Sequence, residues 1–436
     1  MAKTNVRTPT IRTHEGAPAK RIGDEAQLRR SVMACMLWED QFYEDGVSIA
    51  ERIAEGVRGV SRETASQIAI EAREDMKLRH APLLVAREMA RKTDPKDIPG
   101  PVVGDTIARV IQRADELAEF VSLYWKDGKQ PLSSQVKRGL AEAFRKFDEY
   151  QLAKYNRDAA IKLRDVLFLC HAKPKDEAQA ALWKKLVDGT LETPDTWEVA
   201  SSSGAGKREM WERLLIEKKL GALALLRNLR NMEQAGVEKM VKTALANMNV
   251  SRVLPFRFIA AAKYAPQLEP ELEAAMFRSI ESRPKLPGKT AIVVDVSGSM
   301  YWSNISAKSK MLRMDAACAI AMIARELCED PKVYSFSDTI LPVPPRHGFG
   351  LRDAIKNQPN RGTYLGASMR ALNAEGRYDR AIVITDEQSA DPVPDPRGKG
   401  YMINVASYKN GVGYGPWTHI DGFSEAVLDY IARAEG

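Results

Sequence analysis

Cysteine and histidine are scarce in this chain, with four Cys and five His among 436 residues. Cys35, Cys170, Cys318 and Cys328 show no metal-type pairing, and Cys318 and Cys328 merely share one helical stretch. That excludes a disulfide framework, and reduced, mostly buried thiols are expected. His14, His80, His171, His347 and His419 form no ligand pair at helical spacing. Long apolar runs are missing too, since nothing approaches the roughly 18 residues of a membrane span. The N-terminal residues are polar and basic without an apolar stretch, so no secretory signal is expected. These absences point to a cytoplasmic protein with no membrane partner. No G-x-S-x-G occurs, and Ser297 and Ser299 have no histidine base nearby in sequence. Gly204-Ala205-Gly206-Lys207 lacks the Ser/Thr and the preceding strand of a phosphate-binding loop. With no catalytic constellation, an enzyme is not expected.

Hydrophobic content of 44% and charged content of 28% fit an ordinary globular chain, and the length suffices for more than one core. The net charge of +7 is unevenly placed. From Leu286 onward, 17 basic residues balance 17 acidic ones, so the whole excess lies before it. Lys126 to Lys175 holds 12 basic against 6 acidic side chains. Such a concentration is the footprint of a polyanion partner, and equally the look of a solvated lysine-rich face.

Residues 1–23 carry Pro9, Pro18 and repeated Thr and Arg, and read as a flexible N-terminal arm. Residues 24–281 read as helical almost throughout. Leu28, Val32, Cys35 and Met36 fall on one helical face, as do Val136, Leu140, Ala143 and Phe147. Successive amphipathic helices with short turns suggest an α-solenoid without a fixed repeat period. A linker at 282–288 precedes a change of pattern over 289–436. Ala291 to Val294 and Ala381 to Ile384 are apolar runs of the buried parallel-strand kind, alternating with helical stretches at Met314–Leu327 and Thr363–Leu372. Strands are expected at Lys332–Phe336 and Tyr401–Val405, and a last helix at Ser424–Ala432. This alternation predicts a doubly wound, Rossmann-like α/β sheet, making the chain multidomain.

In such sheets ligands bind beyond the carboxyl ends of the strands. Asp295 follows one apolar strand, and Asp386 follows another. Asp295, Ser297 and Ser299 alternate through a turn eased by Gly298, so that a carboxylate and two hydroxyls converge. Thr363 offers a third hydroxyl at the start of an expected helix. Hard oxygen donors with few carboxylates suit Mg²⁺, which leaves a position for an incoming acidic ligand. A site bound structurally, or one that holds no metal, is the bland alternative. With all five positions in order, the segment resembles the von Willebrand factor A domain and its metal-ion-dependent adhesion site (MIDAS).

A helical solenoid followed by an A domain resembles the Ro ribonucleoprotein family, whose helical part is the TROVE module. The strings that carry the resemblance are Gln151-Leu152-Ala153-Lys154-Tyr155, Leu163-Arg164-Asp165-Val166-Leu167 and His171-Ala172-Lys173-Pro174. Met210 to Leu215, Ala224 to Leu229, Leu28-Arg29-Arg30 and Pro255-Phe256-Arg257 extend it across roughly residues 24 to 436. The resemblance implies a bacterial or phage-type member built as a ring of HEAT-like repeats closed by the A domain. It also implies that the rim binds small structured, Y-like RNA and that a basic hole takes single-stranded 3′ ends of misfolded RNA. Lys154 and His171 match RNA-contacting positions of that family. The family's next arginine is Asp158 here. The adjacent Arg157 could substitute, but on a continuing helix it would be turned by about 100°.

Lys137, Arg138, Arg227 and Asn228 complete the candidate RNA-binding set. Phosphates would be met by Lys and Arg, and unpaired bases by Tyr155 and His171. Ordinary readings stand beside these: Lys154 as a solvated lysine, His171 as a capping or core histidine, and Arg227-Asn228 as bonds between repeats. Tyr124-Trp125 and Trp211 read as core aromatics. The expected function is a monomeric, non-catalytic RNA-binding protein in small-RNA stabilisation or quality control. An exoribonuclease or another protein is an expected partner of the A domain. The alternatives are a metal-dependent interaction scaffold whose A domain holds an acidic partner, and a chaperone-partner A-domain protein with no RNA role.

Overall fold

The computed structural model describes residues 11–13, 15–19, 23–33, 46–92, 100–202, 206–251, 253, 255–281, 283–305, 311–406, 412, 415–422 and 426–435. Cys35, Met36, Pro9, His14, Gly204 and Ala205 lie outside them. The chain forms two compact units: Met1–Ile49 with Leu245–Gly436, and Ala50–Ala244.

The first unit is built on a six-stranded sheet. Its strands are β3 (Leu286–Asp295), β4 (Cys328–Phe336), β5 (Ile340–Pro342), β6 (Arg380–Thr385), β7 (Lys399–Asn404) and β8 (Trp417–Asp421). They follow a hairpin of β1 (Ile11–Arg12) and β2 (Pro18–Ala19). The sheet order is β5-β4-β3-β6-β7-β8, all parallel except the antiparallel edge β5. β6 is buried along its full length, as a strand covered on both faces must be. Ala291 and Val293 pack with Leu365, Met369 and Leu372 of helix Leu365–Glu375. Helix Arg313–Leu327 packs on β3, β4 and β6. Because side chains alternate along a strand, both faces are occupied, and the sheet is doubly wound.

Several boundaries moved relative to the sequence pattern. β3 begins at Leu286, inside the expected linker, with an irregular register before Lys289 and Gly288 at φ +81°. Thr363 lies in a loop, two residues before its expected helix begins at Leu365. Of the segment expected as a flexible arm, Ile11–Arg12 and Pro18–Ala19 pair as the hairpin, with Gly16 between them at φ +94°. Ala17 enters the sheet core, and the Thr13 hydroxyl donates to the Ser389 carbonyl at 3.1 Å. Strands of two residues leave no alternating pattern to read. Helices Phe256–Tyr264 and Glu269–Ile280 pack with the sheet unit, though their composition matches the helical stretch before them. Lys263 pairs with Asp315 at 2.8 Å, and Arg352 with Glu269 at 2.6 Å.

The second unit is helical. Ser133 and Ser61 accept N-terminal amides as caps for helices Ser134–Phe144 and Arg62–Glu74. Helices Val102–Val110 and Ser134–Phe144 meet with almost no side chain between them. A Cβ on Gly139 would sit 2.6 Å from the Gly104 carbonyl oxygen. Arg73 donates to both Glu116 oxygens at 2.7 Å, with both side chains buried. Among the described residues no helix is long and apolar enough to cross a membrane. Cys170, Cys318 and Cys328 are buried free thiols. Burial pushes the Cys170 thiol up to about 11 and that of Cys318 up to about 12, which makes both unreactive.

Candidate functional site

In the sheet, β3 is followed in sequence by its neighbour on one side, β4, and β6 begins the other side. The direction of winding therefore reverses between β3 and β6, and a crevice opens at their carboxyl ends. Val294 is in register with Ile384, so Asp295 and Asp386 leave adjacent strands at that reversal. Both are fully buried.

A hydrogen-bonded chain links the donors. The Ser297 amide donates to Asp295 Oδ1 at 2.8 Å, and Thr385 Oγ1 to Asp295 Oδ2 at 2.6 Å. Ser297 Oγ lies 3.3 Å from Ser299 Oγ, which donates to Asp386 Oδ2 at 2.7 Å. Arg313, wholly buried, donates Nη1 to the same Asp386 oxygen at 3.2 Å. Thr363 is half-buried, and its carbonyl accepts from the Ala390 amide at 2.8 Å. Its neighbours Gly362 and Tyr364 donate their amides to Asp338 Oδ1 and the Ser337 carbonyl. The loop carrying Thr363 is thus stitched to those that follow β4 and β6.

Burial, together with the charge of Asp386, pushes the Asp295 carboxyl up to about 7 against the hydrogen bonds it accepts from Ser297 and Thr385. Two buried carboxylates on neighbouring strands repel each other, which Arg313 offsets at Asp386 and a small hard cation would relieve further. Among the described residues no group of three or more His, Cys, Asp or Glu could hold a metal. The hydroxyl-rich donor set instead suits Mg²⁺. Trp302, at the end of the short helix Gly298–Trp302, is 86% exposed, and Tyr364, next to Thr363, is 45% exposed.

Sequence reasoning missed the support behind this site. Glu387, next to Asp386, takes the left-handed conformation at φ +57°, uncommon for a residue with a side chain. It is fully buried between Arg30 at 3.3 Å and His419 Nδ1 at 3.0 Å. Burial raises its carboxyl, but the charges of Arg30 and His419 outweigh that and hold it below the usual range. A buried acid beside Asp386 was visible in the sequence, whereas its partners lie far along the chain.

The RNA candidates, all in the second unit, fall into two pairs and a remainder. Lys154 and Arg157 line one cavity of about 370 Å³. Helix Glu149–Tyr155 ends at Asn156, whose ψ of 78° breaks the helix, so the chain turns and Arg157 comes back to the side of Lys154. Asp158 is exposed and paired with Lys162 at 2.6 Å. The Lys154 ammonium lies 5.7 and 5.8 Å from the ring centroids of Tyr150 and Tyr155. Lys137 and His171 line a second cavity of about 530 Å³. Arg138 instead pairs with Asp105 and Glu142. Arg227 is exposed, but Asn228 is 2% exposed, with its amide donating to the Ala224 carbonyl at 2.9 Å at the break between two short helices. Tyr124 and Trp211 are buried.

The chain thus combines two folds, a helical unit and a doubly wound sheet unit with a hydroxyl-rich acidic crevice. The TROVE domain pattern matches residues 183–322. Telomerase protein component 1 of Mus musculus is 34% identical over 91 residues, and that of Rattus norvegicus 33%. Each alignment covers 19% of this chain and 4% of the relative, so the chain spans only a small part of either. The crystal structure of the Deinococcus radiodurans Ro (RSR) protein superposes with a TM-score of 0.63 at 18% identity, covering 95% of this chain and 100% of that one. At that identity the likeness is one of fold. The comparisons thus give a TROVE-domain match over residues 183–322 and, from the solved structure, a likeness of fold.

Proposed function

We propose that this protein binds RNA non-catalytically as part of a ribonucleoprotein, holding small structured RNA and the single-stranded 3′ ends of misfolded RNA. The observation that carries the reading is the pairing of Lys154 with Arg157, and of Lys137 with His171, in two cavities of the helical unit. Lysine and arginine supply affinity for phosphates without sequence preference. Nearby aromatics, Tyr150 at 51% exposure among them, supply surfaces for unpaired bases. A ring of helical repeats with a basic hole, closed by an A-type domain, belongs to the same proposal, as does a monomeric, cytoplasmic state.

The test is binding of a structured RNA with a single-stranded 3′ overhang against a blunt duplex of the same stem, across a salt series. Tighter binding of the overhang, weakening steeply with salt, is expected. Equal affinity for the two would overturn the hole, and no RNA binding at low salt would overturn the RNA reading.

A second reading concerns the sheet unit, where Asp295, Ser297, Ser299, Thr363 and Asp386 would hold Mg²⁺ in an A-type adhesion site. When bound, the ion would supply a Lewis-acidic position for an acidic oxygen. The exposed Trp302 beside those donors favours a protein partner there, a nuclease among the candidates.

A further inference from the structure

The cavity holding Lys137 and His171 contains groups that the RNA reading does not use. It is a groove of about 530 Å³ in the helical unit, between the turn that follows helix Asp115–Tyr124 and the C-terminal end of helix Leu163–Cys170. Its apolar lining comes from Trp125, Leu132 and Phe168. Within helix Leu163–Cys170, Leu163, Val166, Leu167 and Cys170 form the buried stripe. Phe168 lies off that stripe and is 60% exposed. An aromatic ring facing solvent loses the burial that would stabilise it, and here it shares a groove with both apolar side chains and lysines.

The opposite wall is held rigidly. The Trp125 indole N–H donates to the Gln130 carbonyl at 2.7 Å, closing a turn in which Gly128 sits at φ +119°. That turn places the Lys129 ammonium 5.1 Å from the Trp125 ring centroid. Lys137 lines the same groove from the next helix. His171 completes the rim in a left-handed conformation, φ +52°, as the cap of helix Leu163–Cys170. Left-handed histidine carries backbone strain that a glycine at this cap would avoid, and such strain collects at binding sites.

Two aromatic rings, an apolar floor and two lysines at the rim match one chemistry. We propose that this groove takes a single unpaired nucleobase of a bound RNA, packed against Phe168 and Trp125, with its flanking phosphates met by Lys129 and Lys137. The volume lies within the range of pockets for small organic groups and exceeds what a lone side chain would fill. An acidic peptide would meet the lysines but leave the aromatic walls unused. The inference rests on the RNA-binding reading and adds to it a base-holding pocket whose walls are Trp125 and Phe168.

The experiment uses the full chain and a stem RNA with one 2-aminopurine as an unpaired bulge, beside the same stem fully paired. Stacking in the groove quenches the 2-aminopurine when the wild-type protein binds. Phe168→Ala, a change at an exposed position, should abolish the quenching and weaken the bulged RNA roughly 5- to 150-fold, the usual range for loss of one stacked base. Binding of the fully paired stem should be unchanged by Phe168→Ala and weakened by Lys137→Ala. Unquenched fluorescence in wild-type protein that still binds the RNA would overturn the pocket and leave the RNA reading standing. Failure to bind either RNA would overturn both.

Discussion

Arg30 and Glu387 form an ion pair at 3.3 Å in which neither side chain is exposed. One belongs to a helix near the beginning of the chain, the other to the turn directly after Asp386. The helix carrying Arg30, Asp24–Met33, packs on β8, which also carries His419, the second partner of Glu387. The acidic crevice is therefore braced from behind by a segment far away in sequence. Arg30→Ala leaves the Glu387 carboxylate buried with its charge poorly compensated, a change that costs about 3–5 kcal/mol. Urea unfolding monitored by circular dichroism measures it, and a loss typical of a surface pair, under about 1 kcal/mol, would refute the bracing role.

The donor set of the crevice predicts a response to metal. Mg²⁺ at a hundredfold excess over its Kd should stabilise the wild-type protein by about 2.7 kcal/mol. Asp295→Ala should remove that response. A melting temperature that stays fixed from chelator to saturating Mg²⁺ in the wild type would rule out a bound ion.

Gly139 is constrained by packing rather than by its backbone angles. Gly139→Ala drives a methyl into the Gly104 carbonyl and Ile107. Two backbones would have to separate, at a cost of about 1–3 kcal/mol. Gly350→Ala, also inside a helix but with the added Cβ meeting only Arg346 Cβ at 3.8 Å, is the control and should not destabilise. Equal effects of the two substitutions would contradict the close approach.

Glu435 predicts an acid limit for the sheet unit. Burial pushes its carboxyl up, but hydrogen bonds from Arg380, Lys399 and Tyr401 outweigh this and bring it down to about 2. A carboxyl with a lowered folded value contributes stability that is complete above its unfolded value of about 4.5 and is lost as the pH falls toward 2. At neutral pH this contribution is about 3 kcal/mol at most. Glu435→Gln should lower stability at neutral pH and flatten its fall across that acid window. A variant with an unchanged acid profile would show that the pair contributes nothing there.

Much of the candidate metal site was legible because its parts are local. Asp295, Ser297 and Ser299 sit within five residues, and apolar runs ending in acids mark buried parallel strands without any help from distant residues. The fully buried β6 shows why such runs are readable. Phe168 was not singled out from the sequence, because its meaning depends on Trp125 and Lys129 from another helix and turn. The reach of Arg157 was not legible, since it depends on the helix stopping at Tyr155. Asn228 illustrates the reverse case: a polar residue on an amphipathic pattern that the helix break takes inward.

By itself, the sequence determined the local periods, the basic excess before Leu286 and the order of donors around Asp295. Those depend on side-chain spacing along a helix or strand, which the chain carries wherever it folds. Tertiary structure alone decided that Asp295 and Asp386 leave neighbouring strands, that Arg30 braces Glu387, and that Lys137 shares a groove with Phe168. These relations join residues separated by tens to hundreds of positions, and only packing and strand register bring them within hydrogen-bond or contact distance.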